Sequence, residues 1–306
     1  MDRFQEMQIF LAVAEEQGFA AAARRLNISP PSVTRAVAAM EVRIGTQLLS
    51  RTTRSLHLSE AGQRYLEDCR RILAELTEAE EAAAGSFSIP WGHLTVTAPV
   101  LFGELFVAPI LGEYLDLFAQ VNINALLVDR VVNMTDEGVD VAVRIGHLQE
   151  TGQQAIKVGE VRRVVCAAPA YLERHGRPLH PGQLREAKIV TSSSSQLVSE
   201  WQFMEGGQPL SVAVDPRLVV TANNAAINLA RLGWGVTRVL SYQVASDVRA
   251  GALEIILQDF EPPALPIQVV FMNSARVPAK INTFVDFLVS RLGSDAALNP
   301  AMKRPA

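Results

Sequence analysis

The chain has 306 residues, 49% hydrophobic and 20% charged, enough to bury a core and to form about two domains. Its net charge of −4 would exclude nucleic acid only if it were spread evenly, because phosphate binding needs local positive potential. No apolar run of about 18 residues occurs and the start, Met1-Asp2-Arg3-Phe4-Gln5-Glu6, is too charged for a secretion signal, so membrane partners are excluded and the cytoplasm is expected.

Phe4, Met7, Phe10, Leu11 and Ala14 recur at helical spacing and predict a first amphipathic helix ending near Gly18. A second, alanine-rich helix is predicted from Phe19 to Leu26, with Arg24 and Arg25 where cations suit its dipole. Asn27-Ile28-Ser29-Pro30-Pro31 then supplies a turn, an N-capping hydroxyl and prolines suited to a first helical turn. Val33, Ala36, Val37, Met40 and Ile44 mark the buried stripe of a third helix closed by Gly45; Ser32, Thr34, Arg35 and Ala38 face outward. Gln47–Ser50 and Ser55–Leu58 are expected to pair across Arg51-Thr52-Thr53-Arg54, a tip suited to backbone or minor-groove contact. From Arg24 to Leu58 six arginines stand against Glu41 alone, a local basic block.

Ser59 to about Phe87 reads as one long helix whose Tyr65, Cys69, Ile72, Leu76, Ala79 and Ala83 form a heptad seam calling for a partner helix. The competing reading is that this stripe packs on the chain's own body. Gly85 to Gly92 reads as a stop and linker.

The remainder alternates strands and helices. Strands are expected at Leu94–Thr97, Val121–Val128, Val139–Arg144, Arg163–Ala167, Lys188–Thr191, Leu218–Thr221, Gly235–Val239 and Pro266–Phe271. Helices are expected at Gly103–Phe118, Pro169–His175, Asn224–Leu232, Ser241–Arg249 and Pro278–Leu292. Crossings near Val158–Val164 and Pro263–Val269 suggest two α/β lobes, about 89–161 with 268–306, and 162–267. The fold class is thus a winged helix-turn-helix (1–58), a linker helix (59–88) and a two-lobed α/β domain (89–306).

Phe10 to Glu15, Ala21 to Ser29, Ser32 to Arg35, Met40-Glu41, Ile44-Gly45, Arg51 to Arg54 and Leu58 to Gly62 fall in the order and spacing of the LysR-type transcriptional regulators, which the chain resembles over essentially its whole length. The resemblance implies a winged head that binds double-stranded DNA, a helix pairing two subunits, and an effector domain similar to periplasmic binding proteins. It also implies a homodimer or dimer of dimers and a small-molecule coinducer, commonly an anion or aromatic acid, between the lobes; RNA polymerase is a further candidate partner. By position it assigns Ser29, Pro31, Ser32, Thr34 and Arg35 to the DNA-facing start of the recognition helix and Arg51 and Arg54 to the wing, whose tip also carries the hydroxyls of Thr52 and Thr53 as DNA-contacting candidates. Arginine suits a guanine edge and hydroxyls suit phosphate. Two departures stand out. Pro30 occupies a position where the family often has Gln, so a base contact is missing or moved. Ala20 stands where a Ser or Thr often caps the second helix, an expected cost of about 1 kcal/mol.

Pockets in two-lobed folds lie at strand carboxyl ends near helix N-termini. This points to Thr97, Pro99, Val100 and Leu101, to Arg144, Gly146 and His147, to Ser193 and Ser194, and to Asn223 and Asn224. The apolar Pro99 to Phe102 suggests a partly hydrophobic ligand. Gly233-Trp234-Gly235 lacks the third glycine and preceding strand of a phosphate loop and is set aside. No catalytic motif, metal-ligand spacing or cofactor loop appears, so an enzyme, a metal and a cofactor are not expected. The alternatives are a solute-binding module without a DNA role, or a regulator responding to oxidant through Cys166 as a single thiol. Cys69 and Cys166 are otherwise read as buried reduced thiols.

Overall fold

The computed structural model describes residues 1–51, 56–83, 90–148, 152–192, 200–272 and 278–299. The chain forms two compact units, Met1–Ser88 and Ile89–Ala306.

In the first unit, α1 (Arg3–Glu15) packs against α2 (Phe19–Leu26), α3 (Pro30–Ile44) and α4 (Glu60–Ala83). Three neighbours widen and turn its buried arc. Ile9, Phe10, Ala12 and Val13 are buried, whereas Met7, Leu11 and Ala14 lie at the rim and Phe4 is exposed, a correction to the expected stripe. The cap of α2 is Gly18, not Ala20, which sits inside its first turn, so the expected loss of a side-chain cap at Ala20 does not arise. Asn27 adopts the left-handed conformation and closes α2 on the carbonyls of Ala23 and Arg24.

Ser29 caps α3 as expected: its Oγ accepts from the Ser32 N–H at 3.3 Å while Pro30 and Pro31 fill the first turn. Val33, Ala36, Val37 and Met40 are buried, but Ile44, one turn beyond, is 36% exposed and leaves the stripe. The antiparallel pair β1 (Leu49–Arg51) and β2 (Leu56–Leu58) sets Leu49 opposite Leu58. Thr52, Thr53 and Arg54 fall outside the described residues. Ser59 Oγ caps α4 by accepting from Gly62 N–H at 2.9 Å.

The second unit holds two sheet systems. The larger has the order β4 (Val121–Leu127), β3 (Gly92–Ala98), β5 (Val141–Ile145), β14 (Leu265–Met272), β6 (Gln153–Val161). Strands β4, β3 and β5 run parallel; β14 is antiparallel to both its neighbours. Alternation sends Leu94, Val96, Val141, Val143, Ile267 and Val269 into one core with Phe102, Tyr114, Phe284 and Leu288. Helical turns from Val100–Phe102 (α5) run through a π-helical segment, Gly103–Val107, into α6 (Ala108–Leu117), where one long helix was expected from Gly103.

The second system joins β12 (Thr237–Leu240), β7 (Arg163–Ala167) and β13 (Glu254–Ile256), all antiparallel. Beside it, β8 (Ile189–Ser192) and β11 (Pro216–Val220) pair in parallel. Helices α7 (Pro169–His175), α8 (Asn223–Arg231) and α9 (Ala245–Arg249) belong to this lobe, and α10 (Ala279–Ser294) packs on the first. Strand β14 pairs in the first lobe's sheet from Leu265 onward, so the chain returns before residue 265 rather than at 268.

Four strands have no counterpart in the sequence reading: β6, β13 and the hairpin β9 (Glu200–Glu205) with β10 (Gln208–Ala213). The hairpin's signals are Trp201 and Phe203 alternating with polar residues before Gly206-Gly207. Strand β6 is exposed over its first half and lacks any apolar alternation there.

Candidate functional site

The start of α3 presents Ser29, Pro30, Pro31 and Arg35 to solvent, with Ser32 and Thr34 half-buried between them. Pro30 and Pro31 carry no N–H, and the Ser32 and Val33 amides turn back to Ser29. This helix end therefore offers hydroxyls and a guanidinium rather than free backbone donors. Ser29 Oγ and Ser32 Oγ lie 2.8 Å apart, Thr34 Oγ1 donates to Pro30 O at 3.2 Å, and Arg35 Nε donates to Pro31 O at 3.3 Å, folding the guanidinium over the first turn.

The basic block is thinner than its sequence. Arg25 is held by Glu15 at 2.7 Å and Glu16 at 3.3 Å, and Arg43 by Glu6 at 2.8 Å. Arg24 and Arg35 face solvent with no carboxylate partner among the described residues. Arg51's side chain and Arg54 lie outside the described residues. Glu41, the one acid in the block, has another use: its Oε1 accepts from Leu48 N–H at 2.8 Å and Leu49 N–H at 3.0 Å, tying α3 to the entry of β1.

Along α4 the predicted seam divides. Cys69 is fully buried and Tyr65 half-buried in the first unit's own core, with the Tyr65 ring 5.7 Å from Phe10. At these two positions the self-packing reading is the correct one. Ile72 and Leu76 are half-buried, and the side chains of Ala79 and Ala83 lie outside the described residues.

In the second unit, strand ends of both lobes converge on Asp129, just past β4. Asp129 Oδ1 accepts from Val100 N–H at 3.0 Å at the start of α5, and Oδ2 accepts from Asn223 Nδ2 at 3.1 Å at the start of α8. Asn223 Oδ1 in turn accepts from Ser192 Oγ at the end of β8. A carboxylate of the chain thus takes the Val100 amide, the backbone donor expected for a ligand anion. Thr97 is also spent, buried with its Oγ1 donating to Leu126 O at 2.7 Å, which removes it from the site. Gly146 contributes through its backbone only: its N–H goes to Pro266 O and its carbonyl receives Gln268 Nε2, both at 2.9 Å.

Arg144 is half-buried, bonded through Nη2 to Val132 O, and burial lowers its pKa, with no acid paired to it among the described residues. Leu101 reaches the apolar cores of both lobes, and Pro99 and Val100 are half-buried beside it. Asn224 and His147 are exposed, and Ser193 and Ser194 lie outside the described residues.

Residues 90–293 match the family described as LysR substrate binding domain, and residues 4–63 match the bacterial regulatory helix-turn-helix proteins of the lysR family. The chain belongs to the LysR-type transcriptional regulators. Among its relatives is an HTH-type transcriptional regulator of Xanthomonas campestris pv. campestris, 35% identical over 293 residues, covering 94% of this chain and 85% of the relative. CrgA of Neisseria meningitidis is 26% identical over 293 residues, covering 95% of this chain and 97% of CrgA. The solved CrgA structure aligns with TM-score 0.61 over 95% of this chain and 99% of that one. A Corynebacterium glutamicum OxyR mutant, at 18% identity and TM-score 0.63 over 100% and 97%, shares the fold.

The protein is accordingly a LysR-type DNA-binding transcriptional regulator with an effector-binding domain, and regulators of this type bind DNA and small-molecule effectors and act as oligomers. Its relatives are transcription regulators, which overturns the reading as a solute-binding module without a DNA role. The described residues contain no helix long and apolar enough to cross a membrane. Asp129 is the residue the sequence reading missed in this LysR regulator. The usable signal was an acid two residues beyond a parallel strand, near the Thr97 and Arg144 strand ends.

The oxidant-sensing alternative meets unfavourable chemistry. Cys166 is fully buried, and burial, followed by the charge of Asp247, pushes its thiol up to about 12. The reactive species is the thiolate, so this sulfur is inert near neutral pH.

Proposed function

We propose that the regulator reads a duplex operator through Ser29, Pro31, Ser32, Thr34 and Arg35 at the start of α3, with Arg51, Thr52, Thr53 and Arg54 following the backbone. The carrying observation is the solvent-facing Arg35 and Arg24, without carboxylate partners among the described residues while Arg25 and Arg43 are paired. Pro30 supplies no donor, so base reading falls on Arg35. Ile72, Leu76, Ala79 and Ala83 pair two subunits, and two such pairs assemble at a promoter, where RNA polymerase is met. A protein acting on its own genome in this way works in the cytoplasm.

The effector enters between the lobes and works against the Asp129–Asn223 hydrogen bond, which links the start of α5 to the start of α8. Its anionic group pairs with Arg144, since Asp129 already fills the α5 terminus, and its apolar body lies on Pro99, Val100 and Leu101.

The test is fluorescence anisotropy of the full chain on the intergenic DNA beside its own gene. Affinity should fall steeply with salt, because neutralised phosphates release counterions. Arg35→Ala should lose about tenfold or more on that DNA and less on random duplex, a base contact being worth about 1–3 kcal/mol of discrimination. Salt-independent binding, or an equal loss on both DNAs, would reject Arg35 as the base reader.

A further inference from the structure

The sheet β12-β7-β13 carries a charge arrangement that neither the operator nor the interlobe cleft uses. In its register Arg238 stands opposite Val165 and Arg163 opposite Leu240. Alternation therefore puts both arginines on one face as diagonal neighbours, rooted about 7–8 Å apart and within reach of each other's long side chains. The Arg238 guanidinium carbon lies over the buried hairpin aromatics, 5.1 Å from the Phe203 ring centre and 5.7 Å from that of Trp201, and its Nη2 donates to Gln202 O. Its Nε is buried with no acceptor among the described residues. Arg163 is exposed and makes no hydrogen bond or ion pair among the described residues. The adjacent Arg162 takes Glu261, at 2.8 and 3.0 Å.

Burial, and next the charge of Arg163, pushes the pKa of Arg238 down to about 9. Two like charges are thus held together, Arg238 partly stripped of water, with no carboxylate answering them among the described residues. The stack of Arg238 on Trp201 and Phe203 needs no second arginine, and by itself Arg163 adds only repulsion. The missing countercharge is therefore one that arrives from outside.

We propose that Arg163 and Arg238 form a second small-molecule site, separate from the interlobe cleft, for an oxyanion: the carboxylate or phosphate group of a metabolite. Arg238 is the preorganised donor, its position set by the rings beneath it. Arg163 is the exposed donor that closes on the anion from the neighbouring strand.

The experiment is calorimetric titration of the full chain with inorganic phosphate and, separately, acetate, both at constant ionic strength in chloride, alongside thermal unfolding. Saturable binding of one of them, with a matching rise in Tm, is expected, and the anion that binds names the head group. Arg163→Gln, at an exposed side chain with no protein partner, should bind about tenfold or more weakly. Its Tm in chloride alone should not fall, because a repulsion has been lifted. Arg238→Lys keeps the charge but loses the flat donor, and should also bind more weakly. The proposal is overturned if neither anion binds saturably, or if binding is unchanged in Arg163→Gln. It is equally overturned if that variant is less stable in chloride, which would make Arg163 a structural residue. Loss of binding in Arg35→Gln with retention in Arg163→Gln would place the anion on the DNA-binding unit and end the proposal.

Discussion

Glu41 shows how a residue that looks like a blemish in a basic surface can be structural. Its carboxylate oxygen receives the amides of Leu48 and Leu49, so removing it strands two donors at the entry of the wing. Glu41→Ala should cost about 2–3 kcal/mol by denaturant unfolding of the first unit, whereas Arg24→Ala should leave its stability within about 0.5 kcal/mol. Gly62 makes the same point through space: a Cβ there would sit 2.0 Å from Leu48 O, a backbone atom that cannot step aside. Gly62→Ala should therefore destabilise by about 3 kcal/mol although Gly62 lies in a helix, where alanine is normally preferred. Both residues stand in the motifs that carry the family resemblance, Met40-Glu41 and Ala61-Gly62. Their order was readable in the chain, but their reasons appear only once β1 is folded against α3 and α4.

Elements with one dominant period were legible in the sequence, and those with divided loyalties were not. The second helix and β7 stand where their apolar patterns put them, Phe19–Leu26 and Arg163–Ala167, the helix because it buries one face and the strand because it is buried on both and reads as one continuous apolar run. Strand β6 escaped because only its second half is covered, and the buried arc of α1 was misplaced on both sides of Phe10 because three helices share it. Helix α4 is the instructive case, a single seam serving two masters. Tyr65 and Cys69 belong to the head's own core; Ile72 and Leu76, one and two turns on, are only half-buried and remain available to a partner. Replacing both with glutamate should convert the oligomer to monomer in sedimentation while the head's unfolding midpoint holds. Cys69→Ser should do the reverse, lowering the midpoint and sparing assembly. Loss of both properties in each variant would mean that α4 cannot be divided this way.

At the scale of the whole molecule, each compact unit carries one buried thiol, and this makes alkaline stability a test of their independence. Burial pushes Cys69 up to about 11 and Cys166 to about 12, against an ordinary value of 9.0. Both folded-state values are raised, so above pH 9 the unfolded chain gives up protons that the folded chain keeps. Folding stability contributed by each thiol is therefore intact below pH 9 and is lost as pH climbs toward the folded-state value, by up to about 1.4 kcal/mol per pH unit per thiol. Because Cys69 lies in unit Met1–Ser88 and Cys166 in unit Ile89–Ala306, the losses should fall on different unfolding transitions. Calorimetry between about pH 8.5 and 10 should show both transitions moving down in the parent chain. Cys69→Ala should flatten the pH dependence of the first unit alone, and Cys166→Ala that of the second alone. Tyr65 in the first unit and Tyr114 and Tyr242 in the second are raised too, and add a loss of the same sign near the top of the window as the unfolded tyrosines begin to ionise, so the thiol effect is read from the difference between each variant and the parent at the lower end. If either substitution flattened both transitions, the two units would be folding as one, and the thiols would be reporting a shared core rather than two.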